Sequence, residues 1–374
     1  MIERVLHRVV FLALTVLLAA CAVADDPAAD RDITEEQDRP AGALLEERDD
    51  PQPISLPEDA APHDRLTEWW YYTGHVEDDD GYLYGFQFVI FQVQRGDFPS
   101  TYAAHFAVTD TRNGEFNFAE RIDTFEHEAG DTPFDLQIGG WRLTGGDGLD
   151  RIQADMNGYQ LDVELNSQKD PILHEGDGYF EFAPGAESYY YSRTRMDAAG
   201  TLTVNGEPRS ISGKAWFDQQ WGDFLVTDDI GWDWFSVQLD SGEEVMAWQS
   251  HDTRGTTLDA NATIVDPEGL TQDVPSDELS IIALDEWQSP RTGGVYPMGW
   301  ILDVESHNLW LMIEPVMEQQ ELITLESTGN VYWEGMVAVS GTWGDSAVTG
   351  LGYVELTGYV DAVALAEAFH IQTP

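Results

Sequence analysis

Asp218 stands near the start of the stretch Trp216 to Phe235, WFDQQWGDFLVTDDIGWDWF, where carboxylates are interleaved with large aromatics. A carboxyl group set among Trp216, Trp221, Trp232 and Trp234 is either exposed on an edge or desolvated. Desolvation penalises the charged form, so the pKa rises and the group becomes a competent proton donor near neutral pH. An acid of this kind beside indole rings is what a site needs to protonate an apolar molecule. Gln219 and Gln220 follow directly, as neutral donors and acceptors able to orient a water. The plainer reading of Asp218 is a turn residue accepting backbone hydrogens, and Asp233, between Trp232 and Trp234, carries the same ambiguity.

Other chemistries lose ground. The histidines are scattered without metal spacing, so no metal is expected. Gly344-Asp345-Ser346-Ala347-Val348 approaches a nucleophile elbow but lacks its second glycine. No glycine-rich phosphate loop or dinucleotide fingerprint occurs, and no cofactor is expected.

The elements that must position these residues are strands. From His63 onward the chain runs in short aromatic and β-branched segments, broken by Gly, Asp and Asn about every ten residues, a pattern of β-sandwiches and barrels. One short helix is expected at Asp361 to Phe369. Residues 69–92 and 232–252 read as two copies of one hairpin, each with an aromatic strand, an Asp-rich turn ending in Gly81 or Gly242, and a second apolar strand. Two tandem domains follow, 63–225 and 226–374. In EWWYYTGH, alternation puts Glu68, Trp70, Tyr72 and Gly74 on one face and Trp69, Tyr71, Thr73 and His75 on the other. Aromatics on both faces mean that neither meets water: one fills a barrel, the other lies under the second domain. Each single Trp or Tyr there is an ordinary core residue or part of a ligand cavity.

Residues 1–21 form a basic and then apolar leader whose apolar run is too short to span a bilayer, the pattern of a signal peptide. It ends in Leu18-Ala19-Ala20-Cys21, which resembles a lipoprotein lipobox, and Cys21 is the chain's one cysteine. Cys21 is the expected lipidation point, and Ala22 resembles lipoproteins sent to the outer membrane, so the expected location is its periplasmic face. Residues 22–62, rich in Asp, Glu, Pro and Ala, read as a disordered tether. Most of the net charge of −51 lies beyond it, in the folded part. Such a surface repels nucleic acid and anionic headgroups and suits a salty habitat, so no nucleic-acid partner is expected, and membrane contact only through the anchor.

Seven segments in order, EWWYYTGH (68–75), YGFQFVIF (84–91), AHFAVTD (104–110), AWFDQQWGDF (215–224), GWDWF (231–235), YWEGMVAV (332–339) and GYVELTGY (352–359), resemble the family of carotenoid 1,2-hydratase and the AttH proteins. The resemblance implies an all-β fold of two tandem lipocalin-like (calycin) barrels with a ligand cavity near their junction. It also implies chemistry on apolar substrates, since known members hydrate isolated alkenes. Family members commonly have His where this chain has Gln219, and an amide cannot relay a proton as imidazole can. The site expected on these grounds has Asp218 as proton donor, Gln219 or Gln220 holding water, Glu68 or His105 accepting the leaving proton, and Trp70, Tyr72, Trp216, Trp221, Trp232 and Trp234 lining an apolar small-molecule ligand. A carrier of a lipid, pigment or quinone is the second reading. Ester hydrolysis is the third.

Overall fold

A computed structural model describes residues 50–369, apart from 96–97, 127–129, 184–185 and 225–229. The leader, Cys21 and most of the tether lie outside the described residues. The chain is built almost wholly of antiparallel strands in two large sheets.

The first sheet runs, neighbour to neighbour, through Glu115–Thr124, Thr101–Asp110, Leu83–Val93, Thr67–Asp78, Glu207–Gly222, Ala186–Val204, Tyr159–Ser167, Leu149–Met156, Trp141–Gly145 and Phe134–Ile138. Phe134–Ile138 comes back against Glu115–Thr124, so the sheet curls into a nearly closed barrel. The second sheet runs through Thr271–Val274, Thr257–Val265, Glu244–Asp252, Ile230–Leu239, Ser346–Leu356, Asn330–Trp343, Leu309–Pro315, Val295–Val304 and Leu279–Gln288. In each sheet the first long strand pairs with the last, Thr67–Asp78 with Glu207–Gly222 and Ile230–Leu239 with Ser346–Leu356. The two hairpins that look alike in sequence therefore occupy the same place in their sheets. The expected helix is present as Ala362–Phe369, with Asp361 Oδ1 accepting from the Ala364 N–H at 2.8 Å, as an N-cap does.

Strand alternation sorts most of the aromatics into three cores. Trp70, Tyr72, Phe88, Phe106, Phe217 and Trp221 fill the barrel of the first sheet, and Phe235, Trp300 and Trp333 lie in the core of the second sheet. The outer faces of the two sheets meet in a third apolar cluster that holds Tyr71, Val89, Tyr190, Trp216, Trp234, Trp248, Met336 and Tyr353. Gly85 is required there: a Cβ would run into the Tyr353 hydroxyl and the Met336 side chain, so only glycine lets the sheets close to this distance. The junction is also pinned by charge. Buried Glu244 of the second sheet accepts from Lys169 Nζ at 2.7 Å and from Arg195 Nε.

Candidate functional site

The strand Glu207–Gly222 carries Trp216, Asp218 and Gln220 on the face that meets the second sheet, and Phe217, Gln219 and Trp221 on the face inside the first barrel. Asp218 is therefore a strand residue, not a turn residue, and it is buried. Three donors converge on it. The Tyr190 hydroxyl donates to Oδ2 at 2.7 Å, while the Trp216 indole N–H, at 2.6 Å, and the Ser192 hydroxyl both donate to Oδ1. Burial pushes the Asp218 pKa up to about 7, against the pull of these three hydrogen bonds. The group can thus hold or release a proton near neutrality.

The donors are themselves held. The Trp234 indole N–H reaches the Tyr190 hydroxyl at 3.2 Å, and the Tyr190 ring stacks on His174 with centroids 4.1 Å apart. His174 Nε2 lies 2.7 Å from Ser192 Oγ. The single Ser192 proton points at Asp218, so Nε2 must carry the hydrogen of that contact. Burial lowers the His174 pKa to about 3, which keeps the ring neutral. Tyr190 and His174 form part of the wall of a cavity of about 290 Å³, whose apolar lining includes Phe180, Met246, Trp248 and Val274. Asp218 thus reaches the cavity through the Tyr190 hydroxyl and through the Ser192–His174 pair.

The junction brings together Asp218, Gln220, Trp216, Trp232 and Trp234. Gln220 donates to Ser188 Oγ at 2.8 Å, and Trp216 and Trp234 meet edge to face at 6.1 Å. The other expected residues lie elsewhere, and this corrects the sequence reading. Glu68, Trp70, Tyr72, Gln219 and Trp221 all point into the first barrel, because neighbours in a strand face opposite ways. There Glu68 Oε1 accepts from His63 Nδ1 and from Gln219 Nε2, each at 2.8 Å, and Gln219 Oε1 accepts from the Tyr191 hydroxyl at 2.8 Å. Burial lowers the His63 pKa, but the Glu68 charge and the contacts to Asp59 and Glu68 outweigh it and raise it to about 9. Glu68 is therefore ion-paired in the barrel mouth and cannot take a proton released beside Asp218.

His105 does face the second sheet, at 2.7 Å from the Tyr332 hydroxyl and 3.0 Å from Ser327 Oγ. It lies in one register row with Asp218, Tyr71 and Val89, three strands away from Asp218. At about 4.8 Å per strand that is roughly 14 Å, with two side chains between. Burial lowers its pKa to about 3. It is no partner for Asp218.

Several junction residues have no role in the sequence reading. Tyr190, Ser192 and His174 surround Asp218. On the facing sheet, Glu334 Oε1 accepts from the Tyr71 hydroxyl at 2.7 Å, and burial pushes Glu355 up to about 7 and Glu334 well above the usual carboxylate range. The available signal was parity: Tyr190 and Ser192 alternate along one strand, and Glu334 and Glu355 each sit inside an aromatic segment.

A family model described as AttH-like matches residues 47–359. The chain belongs to the AttH-like family. An AttH protein from Nitrosomonas europaea has a similar structure at 30% identity and TM-score 0.75, covering 83% of this chain and 98% of that one. Kievitone hydratase from Nectria haematococca shares the fold at 19% identity and TM-score 0.67, covering 82% of this chain and 93% of that one. CghA with Sch210972 shares it at 14% identity and TM-score 0.52, covering 79% and 89%. No curated protein matches the sequence. The AttH-like match spans both sheets, so the junction and Asp218 lie within the region that defines the family.

Proposed function

We propose that this AttH-like protein binds an apolar, unsaturated molecule at the junction of its two sheets and adds water to a carbon–carbon double bond. The observation that carries this reading is Asp218, a buried carboxyl group poised to protonate near pH 7, held by Tyr190, Ser192 and Trp216 behind an aromatic-lined cavity. In this mechanism protonated Asp218 reverses its contact with Tyr190 and donates to the phenol oxygen, and the Tyr190 hydroxyl, turned to the ligand, gives its proton to one alkene carbon as it takes the Asp218 proton. The carbocation left on the other carbon faces indole and phenol rings, each worth about 0.5–2 kcal/mol of cation–π stabilisation. Water attacks that carbon, and the proton it loses restores Asp218. The fold kinship with kievitone hydratase supports this chemistry without assigning a substrate.

The sequence features outside the described residues extend the proposal: a leader cleaved before Cys21, acylation of that cysteine, and attachment at the periplasmic face of the outer membrane. The test is identification of the small molecule that co-purifies from the native membrane, followed by its incubation with the protein in ¹⁸O-water. Labelled oxygen gained with wild-type protein and not with Asp218→Asn supports the hydratase. A tightly held ligand recovered unchanged makes the protein a carrier.

A further inference from the structure

Two more carboxyl groups stand on the face of the second sheet that meets Asp218. Glu334 and Glu355 are directly opposite one another on neighbouring antiparallel strands, and Trp234 is the next cross-strand partner of Glu355. Directly opposed Cβ atoms in such a pair lie about 4.5–5.5 Å apart. Glu334 is fully buried; one oxygen takes the Tyr71 hydroxyl, and the other, Oε2, has no hydrogen-bond partner. A buried carboxylate oxygen without a partner is costly unless a proton, a water or a ligand meets it. Glu355 is only partly buried by accessible area, as are Trp69 and Trp232 nearby, so this part of the junction meets open space. The Trp232 indole N–H is near enough to Glu355 to favour its charged form.

The ring closes on the first sheet. Tyr71, which holds Glu334, is the cross-strand partner of Asp218, and its ring meets Trp234 edge-on at 5.2 Å. Trp234 in turn donates to Tyr190, which lines the cavity. Three carboxyl groups therefore surround one aromatic cluster. Among the described residues, Glu355 and Tyr71 act on Glu334, Trp232 and Asp218 act on Glu355, and the Tyr332 and Tyr353 phenols lie close to Glu334; none of these is a lysine, arginine or histidine.

At about pH 8 Glu355, raised only to about 7, is mostly ionised, so an anionic ligand head brought here meets like charge. A neutral hydroxyl or carbonyl adds no charge and can take a hydrogen bond from Glu334, which holds its proton more tightly. We infer that the Glu334–Glu355 pair is a charge filter: the junction accepts uncharged unsaturated ligands and rejects the matching carboxylates. This rests on the reading of the junction as an apolar-ligand site, and narrows it.

Retinol and retinoic acid carry the same polyene on different heads, and both quench tryptophan fluorescence by energy transfer. At about pH 8, where a free carboxylic acid is ionised, retinol binds this protein at least about tenfold more tightly than retinoic acid. In Glu334→Gln/Glu355→Gln the gap closes through tighter binding of the acid, with retinol affinity kept. Glu355→Gln alone, at the partly accessible member, narrows the gap even where the double variant does not fold. Equal or tighter binding of retinoic acid by wild type overturns the filter and leaves the apolar-ligand reading standing. A gap unchanged in a folded Glu355→Gln variant removes the glutamates from the role. Quenching by neither retinoid overturns the apolar-ligand reading, and the filter with it.

Discussion

The Tyr190 hydroxyl lies 2.7 Å from Asp218 Oδ2 and the same residue lines the cavity, so one phenol joins the buried acid to the ligand space. Asp218→Asn removes the transferable proton and is expected to lower hydration by at least about a hundredfold. Tyr190→Phe keeps the acid but cuts its path to the cavity, and is expected to reduce turnover with little loss of ligand affinity. Loss of the Tyr190 hydrogen bond costs roughly 1 kcal/mol of stability. Steady-state turnover and fluorescence titration of both variants check this; a Tyr190→Phe enzyme with full turnover removes the relay.

The raised carboxyl pKa values set a pH dependence of stability. Asp218 rises from 3.8 to about 7 on folding, so between these values the native state binds the proton more readily than the unfolded chain does. Stability therefore falls as pH rises through that window, by on the order of 4 kcal/mol for this group alone. Glu355, raised from 4.5 to about 7, adds a loss of the same sign. His63, raised from 6.5 to about 9 beside Glu68, contributes stability that is complete below 6.5 and is lost as pH climbs to 9. Urea unfolding at about pH 5, 7 and 9 is expected to show a decline, less steep below pH 7 in Asp218→Asn and less steep above pH 7 in His63→Gln.

The split of the expected site follows from strand geometry. The aromatic runs on Glu68 to His75 imply two buried faces, and the barrel and the junction are those faces. Asp218 and Gln219 are adjacent residues, so once the segment is a strand they cannot share a site. Reading Asp218 as a candidate turn residue concealed that consequence. His105 failed for another reason: its distance from Asp218 depends on how many strands separate them, and sheet order is set by pairings far apart in sequence. Glu334 and Glu355 oppose one another through a hairpin register that neither flanking sequence displays.

Gln219 gives a direct test of that split. Its amide links Glu68, the Ala60 carbonyl and Tyr191 inside the first barrel. Gln219→Ala leaves those buried groups short of partners and is expected to cost about 1–3 kcal/mol. Junction ligand affinity is expected to stay within about twofold of wild type, since the side chain lies on the far side of the sheet. A large affinity loss in a variant of normal stability would return Gln219 to the ligand site.

Glu244 tests whether the two sheets behave as one cooperative body. The fully buried carboxylate takes Thr194 and Arg195 from the first sheet and Lys169 from the loop after Tyr159–Ser167, and Lys169 also donates to the Gly242 and Asp266 carbonyls at 2.8 and 2.6 Å. Glu244→Ala strands two nearly buried cations and is expected to cost about 3–5 kcal/mol, whereas replacing Glu244, Lys169 and Arg195 together by apolar residues of similar volume is expected to cost less, since it leaves carbonyls short of donors but no unpaired charge. The reason is that the pair's attraction mainly offsets its own desolvation, so the loss comes from the orphaned charges. Differential scanning calorimetry of the single and triple variants separates the two cases. A single variant that unfolds in two steps, with the ligand lost at the first, places the binding site on the interface that Glu244 secures. One unshifted transition would mean that the aromatic junction holds the sheets without it.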